Sequence, residues 1–117
     1  MAGLTTHVLD TAQGIPAAGV KIRLVKVNPA PETLLPLTET VTNQGGRASL
    51  LSAAEMSMGV YELWFDVGEY FTQQGIPLAS PPFLSEIPIR FAIGDPQTHY
   101  HIPLLVSPWA YSTYRGS

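Results

Sequence analysis

The stretch HYHIPLLV, residues 99–106, alternates as a strand with one buried face does. A strand points successive side chains to opposite sides, so Tyr100, Ile102, Leu104 and Val106 share one face and His99, His101, Pro103 and Leu105 share the other. The first set is large and apolar and belongs in a core. Both histidines therefore point away from the core of their own subunit. The segment runs into SPWAYSTYRGS, Ser107–Ser117, which is rich in hydroxyl groups and carries one Arg. Chain ends stay loose unless something ties them down, and so many polar groups next to two outward histidines mark the tail as part of a site.

The same period recurs through the chain, interrupted by turn residues. Thr5–Leu9 precedes the turn-rich DTAQGIPAAG, and in Val20–Val27 the apolar Val20, Ile22 and Leu24 alternate with Lys21 and Arg23. Leu34–Thr42 contains Pro36, which cannot donate to a ladder, and reads as an edge strand running into TNQGGR. Met58–Phe65, Ile87–Ile93 and Trp109–Tyr114 complete the set. Short strands at this spacing predict an all-β fold, an antiparallel β-sandwich of about seven to eight strands. One segment breaks the pattern. In DVGEYFTQQ, Asp66 is a candidate N-cap, Glu69 the other half of a capping box, and Gly75 and Pro77 are stop signals, which predicts a single short helix.

With 117 residues the chain suits one apolar core and is read as a single domain over 1–117. Charged residues make up 13%, against about 25% in typical soluble domains. So little charge leaves surface that is better buried in an oligomer. A net charge of −3 offers no attraction for a phosphate backbone, which argues against nucleic acid as a partner. No run is long and apolar enough for a membrane helix, and MAGLTTHVLD has neither a charged n-region nor an apolar h-region, so the expected location is cytoplasmic. The absence of cysteine excludes disulfides, thiolate metal sites and a Cys nucleophile.

Histidines at positions 7, 99 and 101 admit three accounts. The plainest is solvated surface residues. A second is a metal site, because His-x-His on a strand sets two imidazoles on one side. A third is acid–base chemistry, for which an imidazole pKa of about 6.5 is suited. In the first strand Thr5, His7 and Leu9 share one side, opposite Leu4, Thr6 and Val8, and so short a strand leaves open which side is the outer one. Arg47 follows a Gly-Gly turn whose backbone freedom lets a guanidinium be aimed, and its planar fork suits carbonyl or enolate oxygens. Arg90, in the middle of IPIRFAI, reads as decoration of a solvated face.

LTTHVLDTAQGIPAAGV (4–20), TNQGGR (42–47) and IPIRFAIGDPQTHYHIPLLVSPWAYSTYRGS (87–117) resemble, in order and spacing, the transthyretin-related family in its hydroxyisourate-hydrolysing branch. The resemblance implies a transthyretin-like sandwich with one short helix, assembled as a homotetramer with active sites at the dimer–dimer interface. It implies hydrolysis of the lactam-type N–C bond of 5-hydroxyisourate, a step of urate degradation, to a ring-opened hydroxy-carboxy-ureido-imidazoline, with no metal or organic cofactor. Mapped onto this chain, the signature residues are His7, Arg47 and His101 as the catalytic set. Substrate binding falls to His7, Arg47 and the terminal Tyr114, Arg115, Gly116 and Ser117, with Arg115 alternatively anchoring the tail. His99 belongs to the same motif.

The chain departs from the pattern at Gly45, where an acidic residue is usual, at Ser85 in place of Pro, and at Trp109 and Ala110 in place of Tyr and Gly. These positions concern loop geometry. Two other classes compete with a hydrolase: a carrier of a small aromatic ligand in the same fold, which lacks the His/Arg/His set and YRGS, and an unrelated sandwich whose outward histidines form an adhesive patch.

Overall fold

The computed structural model describes residues 2–116. Among the described residues nine strands form: β1 (Gly3–Asp10), β2 (Ile15–Pro16), β3 (Lys21–Asn28), β4 (Thr33–Val41), β5 (Arg47–Leu51), β6 (Gly59–Asp66), β7 (Glu86–Ile93), β8 (His99–Val106) and β9 (Tyr111–Thr113). The single α-helix, α1 (Val67–Gln73), and a 3-10 turn at Ala53–Glu55 complete the elements. One sheet runs β2-β1-β8-β9, with β5 also paired to β1, and the other runs β4-β3-β6-β7. The expected sandwich with one short helix is therefore the observed architecture.

Period-two alternation explains the core. Leu4 and Val8 of β1 and Leu104 and Val106 of β8 face Ile22 and Leu24 of β3, Leu63 and Phe65 of β6 and Ile87 of β7, all of them nearly or fully buried. Removing a Leu or Ile from such a site costs about 2–5 kcal/mol, through lost transfer energy and the cavity left behind. Val67, Tyr70 and Phe71 of α1 join the same cluster, and the helix is pinned to the first sheet through Asp10. Asp10 is buried and accepts hydrogen bonds from Ala12 N, Gln13 N, Gln13 Nε2 and the Tyr70 hydroxyl at 2.8–3.0 Å, so the DTAQG turn satisfies its own buried carboxylate. Burial, and then the neighbouring Asp10, push the Tyr70 hydroxyl pKa well above its usual value.

Four expectations change. β1 and β8 pair in parallel, with Thr5 opposite His101 and His7 opposite Pro103, although every other pairing is antiparallel. Side-chain alternation has the same period in both ladders, so it carries no information on strand direction. β5 was not expected: RASLL is short, and Ala and Ser are weak strand formers. The last strand is only Tyr111–Thr113, because Trp109 and Ala110 donate their N–H groups to Ser107 Oγ in a turn. Only half of the capping box forms. Asp66 accepts from Glu69 N at 3.3 Å, while the Glu69 carboxylate accepts from Lys21 Nζ instead of returning to the cap.

Candidate active site

The outer face of β5-β1-β8 gathers the polar residues that the alternation sets away from the core. Leu4, Thr6 and Val8 are fully buried, which settles the polarity of β1: Thr5 and His7 face outward with His99 and His101. Thr6 adds a buried bond, its hydroxyl donating to the Ile102 carbonyl at 2.6 Å and locking β1 onto β8. Thr5, Thr6, Asn43, Arg47, Ala48, Ser49, His99 and His101 line an open depression of about 350 Å3. His7 sits just beyond that lining, in register with Arg47 on one side and Pro103 on the other.

Arg47 is aimed by its turn. Asn43 Oδ1 accepts from the N–H groups of Gly45 and Arg47 at 2.9 and 3.0 Å, and Gly46 N donates to the Asn43 carbonyl. Gly46 adopts φ +75°, and a Cβ there would lie 2.5 Å from the Val8 carbonyl oxygen, so the site requires glycine on both counts. Val8 N donates to Gly46 O at 2.7 Å and seats the turn on β1. The arginine expected in a loop is thus the first residue of β5, directly opposite His7. No carboxylate among the described residues pairs with its guanidinium.

The two β8 histidines are joined through a residue that the motif reading passed over. Thr5 Oγ1 lies 2.8 Å from His101 Nδ1 and 3.0 Å from His99 Nε2. His101 is half-buried, and its pKa lies below the ordinary histidine value, first because burial penalises the imidazolium and then because His7, His99 and Arg47 repel it. A neutral imidazole at near-neutral pH suits a general base. No three potential metal ligands converge among the described residues, so the His-x-His spacing is not completed there into a tetrahedral set. Shared parity with His7 was the available signal for Thr5. Which strand would lie next to β1 was not.

The tail is tied down. β9 pairs with the end of β8, and Gly116 N donates to the His101 carbonyl at 2.7 Å as an isolated bridge. A Cβ on Gly116 would come within 2.7 Å of His101 Cδ2, so the backbone of residue 116 packs directly against that ring. Arg115 places its guanidinium 4.1 Å from the Tyr100 ring centroid, where a cation is attracted to the aromatic face. With Tyr114 it lines a separate groove of about 280 Å3 between β7 and β8. Within one protomer the structure thus brings together His7, Arg47, His99, His101 and Gly116, and sets Tyr114 and Arg115 along a different groove. Ser117 lies outside the described residues.

The family model described as HIUase/Transthyretin family matches residues 4–116. The 5-hydroxyisourate hydrolase of Deinococcus radiodurans is 51% identical over 117 residues, covering 98% of this chain and 96% of that protein. A crystal structure of (S)-allantoin synthase is similar with a TM-score of 0.90 at 48% identity, covering 99% of this chain, which spans only 44% of that longer one. The structure of Klebsiella pneumoniae 5-hydroxyisourate hydrolase is similar with a TM-score of 0.81 at 36% identity, covering 100% of both chains. The similarity extends from β1 through the turn that aims Arg47 to the tail bridged to His101, and the chain belongs to the HIUase/Transthyretin family.

Proposed function

We propose that this protein is a hydrolase that opens the lactam-type ring of 5-hydroxyisourate in urate degradation, using an activated water and no metal or organic cofactor. The observation that carries the reading is the placement of His7, His101 and Arg47 on one outward face, with no carboxylate among the described residues paired to Arg47, in a chain whose relatives include proteins named for this reaction. His101, with His7 beside it, holds a water and takes its proton as the oxygen attacks the ring carbonyl. The guanidinium of Arg47 stabilises the oxygen that gains charge. The C–N bond then breaks, and the proton passes from the imidazolium to the departing ring nitrogen. A positioned base contributes roughly 10²–10⁴-fold, and a preorganised donor to the oxyanion about 3–4 kcal/mol.

Tyr114, Arg115, Gly116 and Ser117 shape and bind. Gly116 does so by bearing on the His101 ring, whereas Tyr114 and Arg115 meet substrate only if a neighbouring subunit presents them. The reading therefore includes a homotetramer of single 1–117 domains whose dimer–dimer interface closes the open depression. It is supported by the low charge of the chain and by a site that faces out of the sandwich. It also takes the enzyme to be cytoplasmic. The described residues hold no helix long and apolar enough to cross a membrane, and a cysteine-free chain draws no benefit from an oxidising compartment.

The test is the absorbance decay of 5-hydroxyisourate generated in situ by urate oxidase. The wild-type protein accelerates the decay, and His7→Ala slows it strongly without unfolding the protein. A wild-type protein that leaves the spontaneous rate unchanged would sink the proposal. Removing residues 114–117 is the second arm, expected to abolish most of the acceleration.

A further inference from the structure

The Thr5 hydroxyl has one hydrogen and two lone pairs, yet it meets a ring nitrogen of each β8 histidine, His101 Nδ1 at 2.8 Å and His99 Nε2 at 3.0 Å. At most one of these bonds can be donated by Thr5, so at least one histidine must carry its proton on the nitrogen that faces the hydroxyl. His101 is able to act as a base when its Nδ1–H donates to Thr5 Oγ1, and Thr5 then either donates to His99 Nε2 or accepts from it; only the first leaves His99 Nε2 a lone pair that can receive a proton. His101 Nε2, which has no hydrogen-bond partner among the described residues, then keeps an open lone pair. Were Thr5 to donate to His101 Nδ1 instead, the neutral ring would carry its proton on Nε2 and the base would be lost.

We propose that Thr5 is a proton relay between His101 and His99, deepening the hydrolytic reading of this site and resting on it. When His101 Nε2 takes a proton from water, the O–H electron pair stays on the oxygen and forms the new bond to the ring carbonyl carbon. In the same event the Nδ1 proton moves to Thr5 Oγ1, and the Thr5 proton moves to His99 Nε2. Positive charge thus leaves a half-buried imidazole, where burial and its neighbours oppose it, and settles on an exposed one. The return of the three protons along the same path supplies the departing nitrogen. The titratable and charged groups facing this pair are His7 from β1, Arg47 from β5 and, at His99, the Arg115 guanidinium at 3.5 Å from its carbonyl oxygen. No acid among the described residues makes a salt bridge to either histidine, so the acceptor role falls to His99. Thr5 does not touch the reacting atoms and is a positioning residue.

Thr5→Val keeps the shape and removes the hydroxyl, Thr5→Ser keeps the hydroxyl, and His99→Gln keeps a polar end that cannot store a proton. Thr5→Val and His99→Gln are each expected to lower kcat by roughly tenfold or more with KM within about twofold, as loss of assistance to a general base does. The double variant is expected to be no slower than either single one, and Thr5→Ser to recover most of the rate. Independently of turnover, imidazole 15N NMR is expected to show His101 protonated on Nδ1 in the wild type, with titrations of His99 and His101 that are coupled and become independent in Thr5→Val. A Thr5→Val enzyme with wild-type kcat and coupled titrations overturns the relay. So does a double variant whose losses multiply, which would mean that the two residues act separately. A wild-type protein inactive on 5-hydroxyisourate but with coupled titrations leaves the relay geometry standing and removes the reading on which it rests.

Discussion

The outer faces of the two sheets are built from the same alternation and differ in how they treat charge. On the β3-β6-β7 face each cation meets an anion or a ring. Lys21 pairs with Glu69, Arg23 with Glu86 while also lying over the Trp64 ring, and Arg90 with Glu32 and Glu62. The Glu62 carboxylate, nearly buried, also accepts from Trp64 Nε1 at 3.1 Å. On the β5-β1-β8 face Arg47 and three histidines stand together, and none of them makes an ion pair with a carboxylate among the described residues. Neutralised charge belongs to a solvated surface. Uncompensated cation and neutral imidazole hold free energy in reserve for a substrate that gains negative charge, which is how a face without ion pairs becomes a candidate site.

Substitutions on the two faces should therefore separate activity from stability. His101→Ala is expected to lower kcat by roughly 10²–10⁴-fold, and Arg47→Ala by roughly 10²–10³-fold, with thermal unfolding midpoints close to wild type. Arg47→Lys should recover only part of the loss, because an ammonium lacks the planar fork. Wild-type turnover in both alanine variants would dissolve the contrast. Gly116→Ala acts at the border of the site. Its Cβ pushes on the His101 ring, and steady-state kinetics should show roughly a tenfold loss of kcat as the base is displaced.

On the opposite face, Glu62→Ala should leave turnover unchanged and lower unfolding free energy by about 1 kcal/mol in denaturant titration, since Arg90 Nε and Trp64 Nε1 lose their acceptor. A drop in kcat there would mean that the second face also takes part. The smallest effect is in pH. Because burial, and then the nearby His7, His99 and Arg47, lower the His101 pKa below the ordinary histidine value, the acid-side decline of kcat/KM should lie at lower pH than for an ordinary histidine. Removing the Arg47 charge relieves one of the causes of that depression, so NMR titration of Arg47→Ala should place the His101 pKa above its wild-type position. A pKa that stays or falls would remove Arg47 from the electrostatics of the base.

Much of this is legible in the sequence. Alternation in residues 99–106 assigned the core face and the outward histidines, Pro36 marked β4 as an edge strand, and Asp66 marked the start of α1. β5 was not readable, because RASLL is weakly strand-forming and is held by the Asn43 turn and by β1. The Glu69 carboxylate could not be assigned to Lys21, 48 residues away, from a local capping pattern. Tyr114 and Arg115 read as neighbours of Gly116 in the tail, yet Arg115 lies over the Tyr100 ring and lines a groove with Tyr114, while the Gly116 backbone packs on the His101 ring.

The sequence by itself determined the local terms: which residues alternate, which turns need glycine, how little charge the surface carries, and which side chains have acid–base or oxyanion chemistry. Only the tertiary structure decided that β1 lies parallel to β8, and this one pairing sets Thr5 between His99 and His101 and brings His7 and Arg47 to the same patch. The physical reason is that alternation fixes the face of a strand but neither its neighbour nor its direction. Those follow from the burial of both sheets at once, across about 95 residues of chain that no local pattern spans.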